Sequence, residues 1–243
     1  HRECTGANLM SKQTDLINIP DAITVSGSNV GIGTSSPSTP SGSCLSLYNA
    51  TLPRLNFKNS TTGDGTFDGF ELYMQGTLAG VNNKENGAIA FGTNDSERMR
   101  IDAAGRVTTP YQPSFHVYNT TNGAFTLAAG AYYPFNAAVS NVGNSFNTST
   151  HGFTAPVDGN YSLDFSTITN SNQHNIHLDF AFSGNSNQGT NYHWSTHSSN
   201  WQSLSMSGVY YMSAGVSVRV RNNSLAIGYH GGVWNKFTGY LLG

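Results

Sequence analysis

Short alternating runs are the feature that most limits what this chain can fold into. In Tyr161-Ser-Leu-Asp-Phe165 every second residue is apolar, the pattern of a strand with one buried and one wetted face. The run is entered through a turn rich in aromatic, Pro and Gly residues, His151-Gly-Phe-Thr-Ala-Pro-Val-Asp-Gly-Asn-Tyr161. The chain finishes on Lys236-Phe-Thr-Gly-Tyr-Leu-Leu-Gly243, which has no polar tail and is expected inside a sheet. No stretch shows the apolar stripe of an amphipathic helix. The expected class is all-β.

Composition agrees with that class. Charged residues make up only 10% of the 243, and Asn, Ser, Thr and 27 glycines fill the difference. Aromatics reach 12%. Disordered chains carry the opposite balance, so a folded, strand-rich protein with short polar turns is expected. A net charge of -2 offers no clustered Lys and Arg for nucleic acid. No apolar run approaches the roughly 20 residues of a spanning helix, so no membrane insertion is expected. Cys4 and Cys44 are too few and too isolated for a disulfide framework or a zinc site. The first residue is His1, not Met, as in a processed or truncated piece.

In chain order, residues 1–20 form a leading segment without a clear period. Ile23, Val25, Val30 and Ile32 alternate on either side of Gly27 and predict a hairpin. Gly31-Ile-Gly33 lacks the third glycine and the helix of a dinucleotide loop, so these read as turn glycines. After a Ser/Pro linker (35–43), strands are expected at Cys44–Tyr48, Arg54–Phe57, Phe70–Tyr73, Gly87–Phe91 and Arg98–Ile101. Turns are expected at 59–68 and 81–86. Two prolines in Thr108-Thr-Pro-Tyr-Gln-Pro113 mark a domain boundary. The expected division is a leading segment 1–20, a β-rich module 21–107, a linker 108–114 and a C-terminal domain 115–243. Later strands are expected at 161–169, 176–183, 191–195, 204–212, 216–221 and 237–242, with Asp158, Asp164 and Asp179 in or near them as outward polar positions.

Two resemblances rest on these residues. Asn29-Val-Gly-Ile-Gly-Thr-Ser-Ser-Pro37, Gly87-Ala-Ile-Ala-Phe-Gly-Thr93 and Glu97-Arg-Met-Arg-Ile-Asp-Ala-Ala-Gly-Arg-Val107 resemble the recurring shaft module of bacteriophage tail fibres and tailspikes, present here in one copy. Beyond the linker, Tyr133-Pro-Phe-Asn136 resembles an early strand of the C1q-like heads of the TNF superfamily. Asn141-Val-Gly-Asn-Ser-Phe146 resembles their "N.G..(Y/F)" turn. Phe153-Thr-Ala-Pro156 with Gly159-Asn-Tyr161 is similar to "F.(A/C)P..G.Y", and Phe237-Thr-Gly-Tyr-Leu-Leu242 to the closing "FSG(F/Y)L(L/I)". Met212–Val218 resembles the "L..GD.V.V" turn without its Asp. The resemblance implies a shaft module followed by a homotrimeric C1q-like jelly-roll β-sandwich. A fold of this kind hosts many functions.

If strands run up and down, the loops 170–175, 196–202 and 222–232 share the tip away from the chain's entrance to the domain. They hold Asn172, His174, His197, Asn200, Trp201, Tyr229 and His230, with Trp234 just beyond. Aromatic rings with amides and imidazoles suit sugar recognition: a ring stacks on the apolar sugar face while Asn and His bond hydroxyls. The alternative role for Trp201 and Trp234 is inward packing.

His174-Asn-Ile-His177 and His193–His197 lie on no helix and lack a Cys or Glu to complete a zinc shell. In a trimer one axial His would appear three times, yet surface or packing roles are favoured and no metal is expected. Calcium, which some C1q-like heads bind through loop carboxylates, finds almost no Asp or Glu in the later loops. No positioned acid–base pair or nucleophile motif is present, and no enzyme or cofactor is expected. The sequons at Asn49, Asn119 and Asn147 matter only in a secreted eukaryotic protein. The expected role is a virion tail-fibre, receptor-binding protein. Its expected partners are a host surface polysaccharide or outer-membrane component and other virion tail proteins. The alternatives are a secreted or exosporium-type C1q-like lectin or trimerisation protein and, behind it, a glycan-cleaving tailspike.

Overall fold

A computed structural model describes residues 23–37, 39, 41–170, 176–184 and 201–243. Its contacts divide the chain into two compact units, His1–Thr108 and Thr109–Gly243.

Among the described residues the N-terminal unit holds three three-stranded sheets. The first joins β1 (Ile23–Ser26), β2 (Asn29–Ile32) and β3 (Leu45–Leu47). The expected hairpin forms, with Gly27 at φ 62°, and β3 adds parallel to β2. Asn29 fastens the intervening linker: its Oδ1 accepts the Cys44 N–H at 2.9 Å and its Nδ2 donates to the Pro37 carbonyl at 3.4 Å. The second sheet is an antiparallel meander of β4 (Arg54–Phe57), β5 (Phe70–Gln75) and β6 (Leu78–Asn83). Strand β6 corrects the expected turn at 81–86, because Gly76 at φ 58° closes a tight hairpin earlier. The third sheet comprises β7 (Ile89–Thr93), β8 (Ser96–Ile101) and β9 (Val107–Thr108).

The C-terminal unit is a sandwich. Its strands are β10 (Ser114–Tyr118), β11 (Ala124–Leu127), β12 (Ala137–Val142), β13 (Phe146–Asn147), β14 (Gly152–Thr154) and β15 (Gly159–Ile168). They continue with β16 (Leu178–Phe182), β17 (Ser203–Met212), β18 (Ser217–Asn222), β19 (Ile227–His230) and β20 (Lys236–Leu241). One sheet is ordered β12-β10-β20-β15-β17, the other β13-β14-β18-β16, and β11 pairs with β19 beside them. The alternation in β15 sends Tyr161, Leu163, Phe165 and Thr167 into the core. Phe237 sits at the centre of that core, its ring centroid 4.8 Å from Phe115, 5.4 Å from Phe135 and 5.7 Å from Phe180.

Two resemblance motifs acquire physical reasons. Asn141 closes its turn through its own amide, which accepts the Phe146 N–H at 3.0 Å and donates to the Phe146 carbonyl at 2.9 Å. Gly143 (φ 80°) and Asn144 (φ 53°) supply the left-handed backbone between. Gly239 lies between Phe115 and Leu163, where a Cβ would come within 2.6 Å and 2.8 Å of their side chains.

Three expectations are corrected. Tyr133-Pro-Phe-Asn136 is not a strand; the bridge is at Tyr132, while Tyr133 and Phe135 plug the core from an irregular segment. Asp179 is not an outward position. It is 1% exposed, held by the Arg221 guanidinium at 3.0 Å and 2.5 Å. The stretch 222–232 is not all loop, since β19 occupies its middle. The strand expected at 191–195 lies outside the described residues.

Candidate functional site

The register of the five-stranded sheet fixes which end of the C-terminal unit is which. Ser114 opposes Tyr240 and Gly159 opposes Met212 at the end where the unit begins; Ile168 opposes Ser203 at the other. Trp201 precedes β17 and Trp234 precedes β20, so both lie at that second end. His230, the last residue of β19, stands between them. Its ring centroid is 5.5 Å from Trp201 and 6.4 Å from Trp234, the latter edge-to-face. Trp201 is 59% exposed and Trp234 55%. Two segments distant in sequence, at residue 201 and at residues 230–234, thus present one open aromatic cluster.

Trp234 is held by a buried amide pair. Residues Gly232–Trp234 form a single 3-10 turn without a side-chain cap. The Asn235 side chain accepts the Asn119 N–H at 2.6 Å and donates to the Asn119 carbonyl at 3.2 Å and the Gly232 carbonyl at 3.0 Å. Asn119 in turn donates through Nδ2 to Pro134 at 2.6 Å, and its carbonyl accepts the Gly232 N–H at 2.8 Å. Both amides are buried and fully engaged, so the turn projects Val233 and Trp234 outward from a rigid base. The same bonds leave the Asn119 amide unavailable to carry a glycan in the folded protein.

Beside Trp234 lies a groove of about 690 Å³ whose lining includes His116, Tyr118, Ile168, Ser203 and Lys236. Its walls join a flat aromatic surface to hydroxyl, imidazole and ammonium donors. Lys236 Nζ lies 3.4 Å from Asp164 Oδ1, both on the wetted face of the sheet.

Of the residues expected to bind, the structure brings together Trp201, His230 and Trp234. Tyr229 is a correction: alternation along β19 turns it inward, where it is fully buried against Tyr133 at 5.5 Å. Its hydroxyl has no hydrogen-bond partner among the described residues. Burial pushes the Tyr133 and Tyr229 phenols far up from their ordinary value. Asn172, His174, His197 and Asn200 lie outside the described residues. Among the described residues no three His, Cys, Asp or Glu side chains gather as a metal site. Sequence reading missed Asn119 and Asn235, as well as the groove residues His116, Tyr118 and Lys236. Those three are wetted positions of β10 and β20, visible only as the polar half of an alternation.

Comparison with known proteins gives a C1q domain model matching residues 114–242. Among solved structures, the chain is similar to the globular domain of zebrafish complement 1qA protein at 19% identity and TM-score 0.43, over 54% of this chain and 98% of that one. It is similar to Eiger TNF from S. frugiperda at 12% identity and TM-score 0.46, over 54% and 93%. It is also similar to PRD1 vertex protein P5 at 15% identity and TM-score 0.38, over 55% and 99%. No curated protein matches the chain in sequence.

Proposed function

Because the chain belongs to the C1q domain family through residues 114–242, we propose that it is a phage tail-fibre, receptor-binding protein whose C-terminal domain attaches the virion to host surface glycan. Domains of this family typically form homotrimers and are typically non-catalytic. They point to an extracellular or virion location. The shaft-like phrases at residues 29–37, 87–93 and 97–107 favour the virion.

The observation that carries the reading is the exposed Trp201–His230–Trp234 cluster at the end of the domain opposite Ser114. Large aromatics left open to water on a rigid base mark a contact surface. Stacking on a sugar face needs a flat ring and neighbouring donors, and the groove beside Trp234 supplies both. Three weak sites on one trimer, and several fibres on one virion, gain avidity that one site lacks.

Glycan-array binding by the purified protein tests this, with Trp201→Ala and Trp234→Ala compared at unchanged sedimentation. Each variant should weaken binding by about tenfold or more, the effect of roughly 1.4 kcal/mol at each site. Binding unchanged in both variants overturns the glycan site. Shortening of the host polysaccharide on incubation would instead favour a cleaving tailspike.

A further inference from the structure

The N-terminal unit leaves its apolar side chains uncovered in a regular way. In the β4-β5-β6 sheet the register rows Leu55–Leu72–Val81, Phe57–Phe70–Asn83 and Met74–Ala79 share one face, apolar but for Asn83 at its edge. The opposite face carries Arg54–Tyr73–Gly80, Asn56–Glu71–Asn82 and, at the hairpin end, Gln75–Leu78. The β1-β2-β3 sheet repeats the division: Ile23–Ile32–Leu47 and Val25–Val30–Leu45 lie on one face, and Thr24–Gly31–Ser46 on the other. The β7-β8-β9 sheet does so again with Ile89–Ile101–Val107 and Phe91–Met99.

None of the aliphatic and aromatic side chains in these rows is buried. Proline aside, all buried hydrophobic side chains among the described residues belong to the C-terminal unit. On the polar face of β4-β5-β6, by contrast, the buried charge is paired: Glu71 is 4% exposed and lies 3.3 Å from Arg54 and 3.1 Å from Lys84. A small sheet with an uncovered apolar face does not persist in water; it needs a second layer. An apolar groove of about 450 Å³ lined in part by Leu45, Leu55, Leu72, Met74 and Val81 lies open on that face.

We propose that other copies of this chain cover these faces, so that the core of the N-terminal unit is intermolecular. The inference rests on the homotrimeric reading given above. None of the apolar rows contains a charged residue, so like rows can meet without burying a charge. The three faces follow one another along the chain, and copies tethered by one C-terminal assembly offer each face its own counterpart. The N-terminal unit therefore folds only as part of the assembly, whereas the C-terminal unit has a core within each chain.

Hydrogen exchange and sedimentation on the full chain test this with two variants, Leu72→Asp on the apolar face and Asn56→Asp on the polar one. The expected result is a trimer in which Leu72→Asp speeds exchange of the β4, β5 and β6 amides by roughly a hundredfold or more, while β15 stays protected and sedimentation is unchanged. Asn56→Asp should leave exchange near wild type. A trimer whose β4–β6 exchange ignores Leu72→Asp overturns this inference and leaves the trimer reading standing. A single-chain particle with unprotected β4–β6 amides overturns the trimer reading but keeps the need for other copies. A single-chain particle with protected amides overturns both. If deletion of residues 1–20 alone releases these amides from an intact trimer, the cover is the chain's own leading segment and the inference fails.

Discussion

Asn119 and Asn235, 116 residues apart, are tied together through one side-chain amide: Asn235 accepts the Asn119 N–H at 2.6 Å and returns a bond to its carbonyl at 3.2 Å. Because Asn235 also donates to Gly232, the pair sets the turn from which Trp234 projects. Replacing Asn235 strands the buried Asn119 N–H and takes one hydrogen bond each from the Asn119 and Gly232 carbonyls. Asn235→Ala should destabilise the C-terminal unit by about 2–3 kcal/mol, read as a lower denaturation midpoint. Trp234 should also become more accessible to a fluorescence quencher.

Gly239 admits nothing larger than hydrogen. Phe115 and Leu163 occupy the space into which a Cβ would grow, and both belong to the packed core. Gly239→Ala should cost about 1–3 kcal/mol through overpacking. Gly215→Ala is the informative contrast: nothing lies within 4 Å of its Cβ position, but φ is 84°. That variant suffers from backbone strain alone, and thermal denaturation of the two separates crowding from strain.

Glu71 makes the second sheet sensitive to acid. Burial works against its charge, but hydrogen bonds from Lys84 and Asn82 and the charges of Arg54 and Lys84 outweigh burial and lower its pKa below the ordinary 4.5. A depressed folded-state pKa contributes stability that is present above the unfolded value and lost as pH falls through the folded one. Protection of the β4–β6 amides, taken relative to the intrinsic exchange rate at each pH, should therefore fall as pH drops below 4.5. In Glu71→Gln that acid-induced step should disappear, and the difference between the two pH profiles measures the contribution.

Tyr133 and Tyr229 have the opposite linkage. Burial raises both phenols above the ordinary 10.0; a hydrogen bond with Thr167 partly offsets this at Tyr133, and the neighbouring Tyr133 charge adds to it at Tyr229. The stability they contribute is complete below the unfolded value and declines as pH rises above it. Alkaline absorbance titration should show Tyr133 and Tyr229 ionising only as the protein unfolds. Tyr229→Phe removes a buried hydroxyl without a described partner and should leave stability unchanged or raise it.

The reading of the chain succeeded where the signal was local. Period-two alternation exposed β15, the spacing of Val25 and Val30 about Gly27 exposed the first hairpin, and Asn141 and Gly239 lay inside recognisable phrases. Tyr229 was misread as a loop residue because flanking glycines read as turn, although Ile227 and Tyr229 already alternate within β19. Asp179 was misread because its burial depends on Arg221, 42 residues away, which no pattern around Leu178-Asp-Phe180 announces. Asn119 looked like any other residue of an Asn-rich surface.

The sequence by itself determined that the chain is built of strands and which half of each strand is apolar, because side-chain alternation is a property of the backbone at that point. Only the tertiary structure decided which polar residues turn inward, that Tyr229 leaves the expected tip for the core, and that the rings of Trp201, His230 and Trp234 meet at that tip, the His230 centroid 5.5 Å and 6.4 Å from the other two. Burial and hydrogen-bond partnership depend on what distant segments bring to the same place, and Asn119 and Asn235 acquire their roles only when the first and last strands of that sandwich lie side by side.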